Sequence, residues 1–92
     1  MAEKRYHVKI TGRVQGVYFR METKRTADAH GVEGWVRNRS DGSVEAVFEG
    51  EAEAVEKVLK WCHEGPPAAS VTSVEVAEES STGGLSGFNV RF

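Results

Sequence analysis

The sequence predicts an α+β fold in which strands and helices alternate along one short chain. Three observations support this prediction. Several short runs alternate apolar and polar residues, two longer runs lack Pro and Gly, and an Asp-Gly pair separates two strand-like runs. The chain has 92 residues, 39% hydrophobic and 28% charged, which suffices for one small core. We therefore expect a single domain over residues 1–92.

The N-terminal third predicts a strand followed by a helix. Tyr6, Val8 and Ile10 alternate with polar residues, which is the period of a half-buried strand. Residues 20–30 then contain neither Pro nor Gly, and Gly31 follows where a helix commonly ends on glycine. This range predicts a helix with a thin apolar stripe.

A hairpin is predicted next. Residues 32–38 and 43–49 have strand-like patterns, and the second range places Val44, Ala46 and Phe48 on one face. The sequence Arg-Ser-Asp-Gly lies between them, and an Asp-Gly pair flanked by strands is a strong hairpin signal.

The second helix has the clearest pattern and is predicted over residues 51–63. Val55, Val58, Leu59 and Cys62 follow the spacing i, i+3, i+4 and i+7, so Cys62 is expected to be a buried thiol. Gly65, followed by two prolines, ends the helix.

The C-terminal third predicts two further strands. Val74 and Val76 mark the fourth, and Phe88, Val90 and Phe92 mark a short fifth. The polar, glycine-rich segment 78–87 between them is expected to be a mobile loop. The resulting order is that of the ferredoxin-like βαββαβ sandwich, an antiparallel sheet with both helices on one face. Such sheets serve as enzymes, metal carriers and RNA binders, so the fold does not select a function.

Charge and composition restrict the classes of partner. The formal net charge of −2 gives no general attraction to nucleic acids or anionic membranes. No apolar run approaches a membrane span, and the first residues lack a secretion signal. The single Cys62 cannot form an internal disulfide, which fits a reducing compartment. We expect a cytoplasmic protein, and nothing in the sequence requires more than a monomer.

The segment GRVQGVYFR, residues 12–20, contains a candidate anion site. Gly16 permits backbone conformations closed to other residues. A turn of this kind, leading into a helix, can collect successive backbone N–H groups beside the positive end of the helix dipole. Arg20 can add a bidentate contact. The candidate backbone donors are those of Gln15, Gly16, Val17, Tyr18 and Phe19. Taken alone, the segment is equally compatible with a tight turn beside a surface arginine.

A second segment, GWVRNRSDGSVEAVFEG at residues 34–50, carries Asn38 at the end of a predicted strand. Asparagine in this position is ordinarily a turn residue whose amide bonds the local backbone. Together the two segments resemble the two signatures of the acylphosphatase family, G-x-V-Q-G-V-x-F-R and G-aromatic-V-x-N-x-x-x-G-x-V closing on a glycine. The resemblance extends to the ending Gly-Phe-Asn-Val-Arg at residues 87–91, while residues 68–87 carry little of it.

The resemblance implies hydrolysis of acyl phosphates to carboxylate and inorganic phosphate, without cofactor, metal or covalent intermediate. It places the phosphate-binding loop at Gly12–Phe19, a catalytic arginine at Arg20 and a water-orienting asparagine at Asn38. Inorganic phosphate and sulfate are then expected to compete with the substrate.

Two other classes fit parts of the sequence. RNA-recognition domains share the strand order, but they use aromatic residues on central strands in a basic setting. The net charge of −2 disfavours this class of protein. A non-catalytic phosphate- or phosphopeptide-binding domain would keep the loop and have no use for Asn38. The three histidines, His7, His30 and His63, lack the spacing of metal ligands and are expected to be solvated or to cap helices.

Overall fold

The structure, a computed structural model, describes residues 2–81 and 83–92 and contains two helices and five strands within these ranges. The elements are β1 (Glu3–Arg13), α1 (Phe19–Ala29), β2 (Glu33–Asn38), β3 (Val44–Glu51), α2 (Ala52–Cys62), β4 (Ser70–Glu79) and β5 (Phe88–Val90). Their order confirms the βαββαβ prediction with a short added strand.

The five strands form one sheet in the order β4-β1-β3-β2-β5. The pairs β4–β1, β1–β3 and β3–β2 are antiparallel, whereas β5 pairs in parallel with β2. The expectation of a wholly antiparallel sheet is therefore wrong at this edge. The reason is geometric: β4 runs antiparallel to β2, and the chain reverses direction between β4 and β5, so β5 runs in the direction of β2.

Both helices pack on one face of the sheet, as predicted. Phe19 and Ala27 from α1 and Val55 and Val58 from α2 join the same buried core as one face of the central strands. The strand residues in this core are Val8, Ile10, Val36, Val44, Ala46, Phe48 and Phe88. Cys62 is fully buried in the core, and burial raises the pKa of its thiol to about 12. The predicted core thiol is confirmed.

The opposite face of the sheet carries paired charges. The Glu45 carboxylate contacts His7 and accepts a hydrogen bond from Arg37 at 2.7 Å. Burial favours the neutral acid at Glu45, but the His7 and Arg37 contacts outweigh it and lower the pKa of Glu45. This face is therefore held by ion pairs between neighbouring strands.

The segment between β4 and β5 differs from its prediction in extent. Glu78 and Glu79 belong to β4, so the connection begins after them. Ser81 and the Gly83 backbone N–H both donate to the buried Glu49 carboxylate, the latter at 3.1 Å. These bonds tie the connection to β3; Thr82, also in the predicted loop, lies outside the described residues.

Gly12 has a structural task that differs from the predicted one. It lies inside β1 at a register shift, with φ of 131°, and a Cβ there would stand 2.2 Å from the Ser70 carbonyl oxygen. Only glycine permits this approach of β1 to β4. The predicted loop Gly12–Phe19 therefore begins too early, because β1 continues through Arg13 and the turn occupies residues 14–18.

Candidate active site

The turn between β1 and α1 is anchored by buried side chains. Val14, Val17 and Phe19 are each at most 5% exposed and belong to the core. The Phe19 ring packs against Trp61 of α2, with centroids 5.4 Å apart. These contacts fix the turn against both helices, so its backbone is held in one conformation.

Two residues of the turn have left-handed backbone conformations. Gly16 has φ of 73°, and Tyr18 has φ of 64°, the only positive φ among the described non-glycine residues. Such a conformation costs a side-chain-bearing residue about 1–2 kcal/mol. A Cβ on Gly16 would meet no atom within 4 Å, so the backbone angle is what requires glycine there. Left-handed residues alternating with others form the concave backbone nests that bind anions.

The backbone donors of residues 15–18 point to no acceptor among the described residues. None of the N–H groups of residues 15–18 donates a hydrogen bond to another residue in the part of the chain that the structure describes. Phe19 opens α1, where an N–H lacks an intrahelical acceptor. The turn thus presents unpaired donors beside a helix N-terminus, the combination that favours a bound anion.

Arg20 lies in the first turn of α1, next to these donors. One of its terminal nitrogens, Nη1, donates to the Arg91 carbonyl oxygen at 3.1 Å. Its guanidinium lies over the Phe92 ring, with Cζ 4.7 Å from the ring centroid. This hydrogen bond uses one N–H of a group that carries five, so the guanidinium keeps donors for a ligand.

Asn38 ends β2 between two charged neighbours. Arg37 and Arg39 both contact Glu45, at 2.7 and 3.3 Å, whereas Asn38 lines a cavity together with residues of the β1–α1 turn and of α1. Its side-chain amide makes no hydrogen bond with the described residues. The amide is therefore not engaged with the local backbone as a turn asparagine would be.

A cavity of about 300 Å³ brings most of the predicted site residues together. Its lining comprises Val14, Gly16, Tyr18, Phe19, Arg20, Met21 and Asn38. Two predicted residues, Gln15 and Val17, are not part of this lining. Val14 was predicted only as part of the loop Gly12–Phe19, and Met21 was not predicted, because nothing in an apolar side chain marks it as part of a polar cavity.

The side chain of Gln15 connects the turn to the β2–β3 hairpin. Its Nε2 donates to the carbonyl oxygens of Arg39 and Ser43, at 2.7 and 2.9 Å. The sequence predicts a role only for the backbone N–H of Gln15. The contact matters because the hairpin also carries Asn38, so one side chain sets the position of the turn relative to that amide.

The hairpin turn has its own internal support. The Asp41 carboxylate accepts hydrogen bonds from the hydroxyl and the backbone N–H of Ser43, the latter at 3.0 Å. These bonds, with Lys9 at 3.3 Å, hold the pKa of Asp41 well below its usual range. Gly42 has φ of 92°, which explains the Asp-Gly pair.

The histidines lie outside this cavity. His7 contacts Glu45 on the opposite sheet face, and His30 and His63 are the residues that end α1 and α2. Among residues 2–81 and 83–92, no three His, Cys, Asp or Glu side chains are grouped to hold a metal ion. Over the same ranges, no helix has both the length and the apolar character to cross a membrane.

The fold and the cavity define a ferredoxin-like α+β protein in which a turn with left-handed residues and exposed backbone donors leads into the N-terminus of a helix. The acylphosphatase family model matches residues 6–90, and the chain belongs to that family. It is 55% identical to an acylphosphatase of Pelotomaculum thermopropionicum over the full length of both chains. It is 60% identical to that of Rubrobacter xylanophilus over 96% of this chain and 80% of the relative.

The crystal structure of acylphosphatase from Bacillus subtilis has the same fold. It aligns with a TM-score of 0.93 and 36% identity, covering 97% of this chain and 99% of that one. The protein is accordingly a hydrolase that cleaves acyl phosphates into a carboxylate and inorganic phosphate.

Proposed function

We propose that the backbone N–H groups of residues 15–19, together with the Arg20 guanidinium, hold the phosphoryl group of the substrate, and that Asn38 orients the attacking water. The observation that carries this proposal is the shared cavity in which unpaired backbone donors, Arg20 and the unbonded Asn38 amide meet.

The proposed phosphate cradle suits the demands of phosphoryl transfer. In the transition state, negative charge is spread over the equatorial oxygens of the phosphoryl group. Fixed N–H dipoles and a guanidinium stabilise that charge without reorganising during the reaction. The proposed phosphate cradle recognises a tetrahedral anion and not the acyl group, so inorganic phosphate and sulfate are expected to compete with the substrate.

The proposed role of Asn38 follows from the chemistry of an amide. Its side chain offers one acceptor and two donors, which suits it to hold a water molecule in line with the bond to be broken. Water attacks phosphorus, the P–O bond to the acyl oxygen breaks, and a water proton passes to a phosphoryl oxygen. The leaving carboxylate needs no strong acid to protonate it.

The remaining assignments are also part of the proposal. We take residues 1–92 to act as one monomeric domain in the cytoplasm, without nucleic-acid or membrane partners. The net charge of −2 and the single, buried Cys62 support this. Sedimentation of the purified protein checks the monomer.

A phosphate titration followed by amide NMR tests the cradle residue by residue. We expect inorganic phosphate to shift the amide resonances of residues 15–19 and the Arg20 side-chain resonances in one saturable step. The Arg20→Ala variant should lose this saturation while keeping a folded spectrum. Saturable shifts confined to another part of the chain would overturn the assignment, as would undiminished binding by Arg20→Ala.

A further inference from the structure

The large apolar side chains that the protein exposes are concentrated at the cavity. Four are exposed among the described residues: Tyr18 at 79%, Met21 at 61%, Val76 at 44% and Phe92 at 101%. Tyr18 and Met21 line the cavity, and the Phe92 ring contacts the Arg20 guanidinium. Only Val76, on β4, is away from it.

The backbone conformation of Tyr18 exposes its side chain to solvent. Its left-handed conformation follows the buried Val17 and precedes the buried Phe19, which leaves the phenol ring on the solvent side. Met21 follows on the first turn of α1, one residue after Arg20. Exposed apolar groups that gather in one place usually mark a surface that binds something.

We expect the acyl group of an acyl phosphate substrate to bind this apolar surface. An acyl phosphate has an anionic phosphoryl end and an organic acyl end. The phosphoryl end belongs with the backbone donors, Arg20 and Asn38, which leaves the acyl end directed to the apolar side of the same cavity. A planar ring can pack against Tyr18 and Phe92, and the Met21 thioether adapts to its edge.

We propose that Tyr18, Met21 and Phe92 form an acyl-binding rim that selects acyl phosphates with an aromatic or extended apolar acyl group over acetyl phosphate. This inference rests on the proposed function, since it needs the phosphoryl group seated in the cradle. Its physical basis is transfer of apolar surface from water, which discriminates by about tenfold or more for each well-placed group.

The test compares kcat/KM for benzoyl phosphate and for acetyl phosphate in matched variants. Tyr18→Asn keeps a residue that tolerates a left-handed backbone, and Met21→Gln keeps a good helix former. Val76→Thr removes an exposed apolar group elsewhere and is the control. The benzoyl-to-acetyl ratio should fall about tenfold in the Tyr18→Asn, Met21→Gln double variant and stay at the parent value in the control.

The outcomes separate this inference from the function it rests on. An unchanged benzoyl-to-acetyl ratio in the double variant would overturn the proposed acyl-binding rim. An equal loss of kcat/KM for both substrates would overturn it too, because it would mean that the substitutions act on the phosphate site and not on the acyl group. Failure of the parent protein to hydrolyse either substrate would overturn the proposed function itself. A fall in ratio with phosphate inhibition retained supports the rim.

Discussion

Arg20 and Phe92 are in contact, with the guanidinium Cζ 4.7 Å from the centroid of the aromatic ring. The tail that carries Phe92 is fixed to β2, because the Arg91 backbone N–H donates to the Val36 carbonyl at 2.8 Å. The Arg91 guanidinium also lies over Trp35, 4.4 Å from its ring centroid. The C-terminal residues thus link the helix that carries Arg20 to the strand that carries Asn38.

Replacing the Phe92 ring is expected to leave the Arg20 guanidinium less firmly oriented. The Phe92→Leu variant keeps an apolar group but loses the cation–π contact, which at exposed sites is worth about 0.5–1 kcal/mol. We expect phosphate inhibition to weaken about two- to fivefold, with the melting temperature unchanged. Phosphate is the appropriate probe because it has no acyl group. Phosphate inhibition equal to that of the parent would show that the tail does not orient the guanidinium.

The Gln15 contact predicts a difference between two substitutions of similar size. Gln15→Glu places an acceptor against two carbonyl oxygens, whereas Gln15→Met removes the donor without adding charge. Because an unsatisfied or repelled polar group costs about 1–3 kcal/mol, the Glu variant should be the less stable in urea. Both should lose turnover per folded molecule, since the turn is no longer fixed to the hairpin. Full turnover in Gln15→Met would contradict a positioning role.

The sequence predicts more of the fold than of the cavity. Strand period, helical spacing and the Asp-Gly pair are local signals, and they locate every element that the structure contains. The parallel pairing of β5 and the continuation of β1 through Gly12 depend on contacts with distant strands. No local pattern encodes the approach of Gly12 to Ser70, so the loop predicted from the sequence includes Gly12, which lies in β1.

In the candidate site, too, local features are predicted from the sequence and long-range contacts are not. Gly16, Arg20 and Asn38 stand out by residue type and position, and the structure brings all three to one cavity. The support of Arg20 by the tail could not be predicted, because Arg91 lies 71 residues further along the chain. The side-chain role of Gln15 was likewise hidden, since its acceptors are backbone carbonyls that any sequence would supply.

Stability is expected to depend on acid pH through Glu49. The Ser81 hydrogen bond is the main reason that the pKa of Glu49 lies below its ordinary value of 4.5; burial opposes this shift, and Gly83 and Arg5 add to it. A carboxyl whose pKa is lower in the folded state stabilises fully above its unfolded pKa. The free energy of unfolding should therefore fall as pH drops below about 4.5. Glu49→Gln should flatten this profile in urea titrations, and an equally steep profile would contradict the assignment.

Hydrolysis should not require a metal ion. In the proposed mechanism, backbone donors and Arg20 supply at the phosphoryl oxygens the charge stabilisation that a cation supplies in metal-dependent enzymes. Turnover of benzoyl phosphate is expected to be the same before and after exhaustive treatment with a chelator. Activity that disappears on chelation and returns with magnesium or zinc would exclude the mechanism.

The Asn38→Ala variant tests the central claim, because it separates catalysis from phosphate binding. If the amide orients the attacking water, it acts mainly in the transition state, so kcat and kcat/KM should fall together by about a hundredfold or more. Phosphate inhibition and melting temperature should stay at the parent values. A variant with lowered melting temperature and parental turnover per folded molecule would contradict the account and make Asn38 a turn residue.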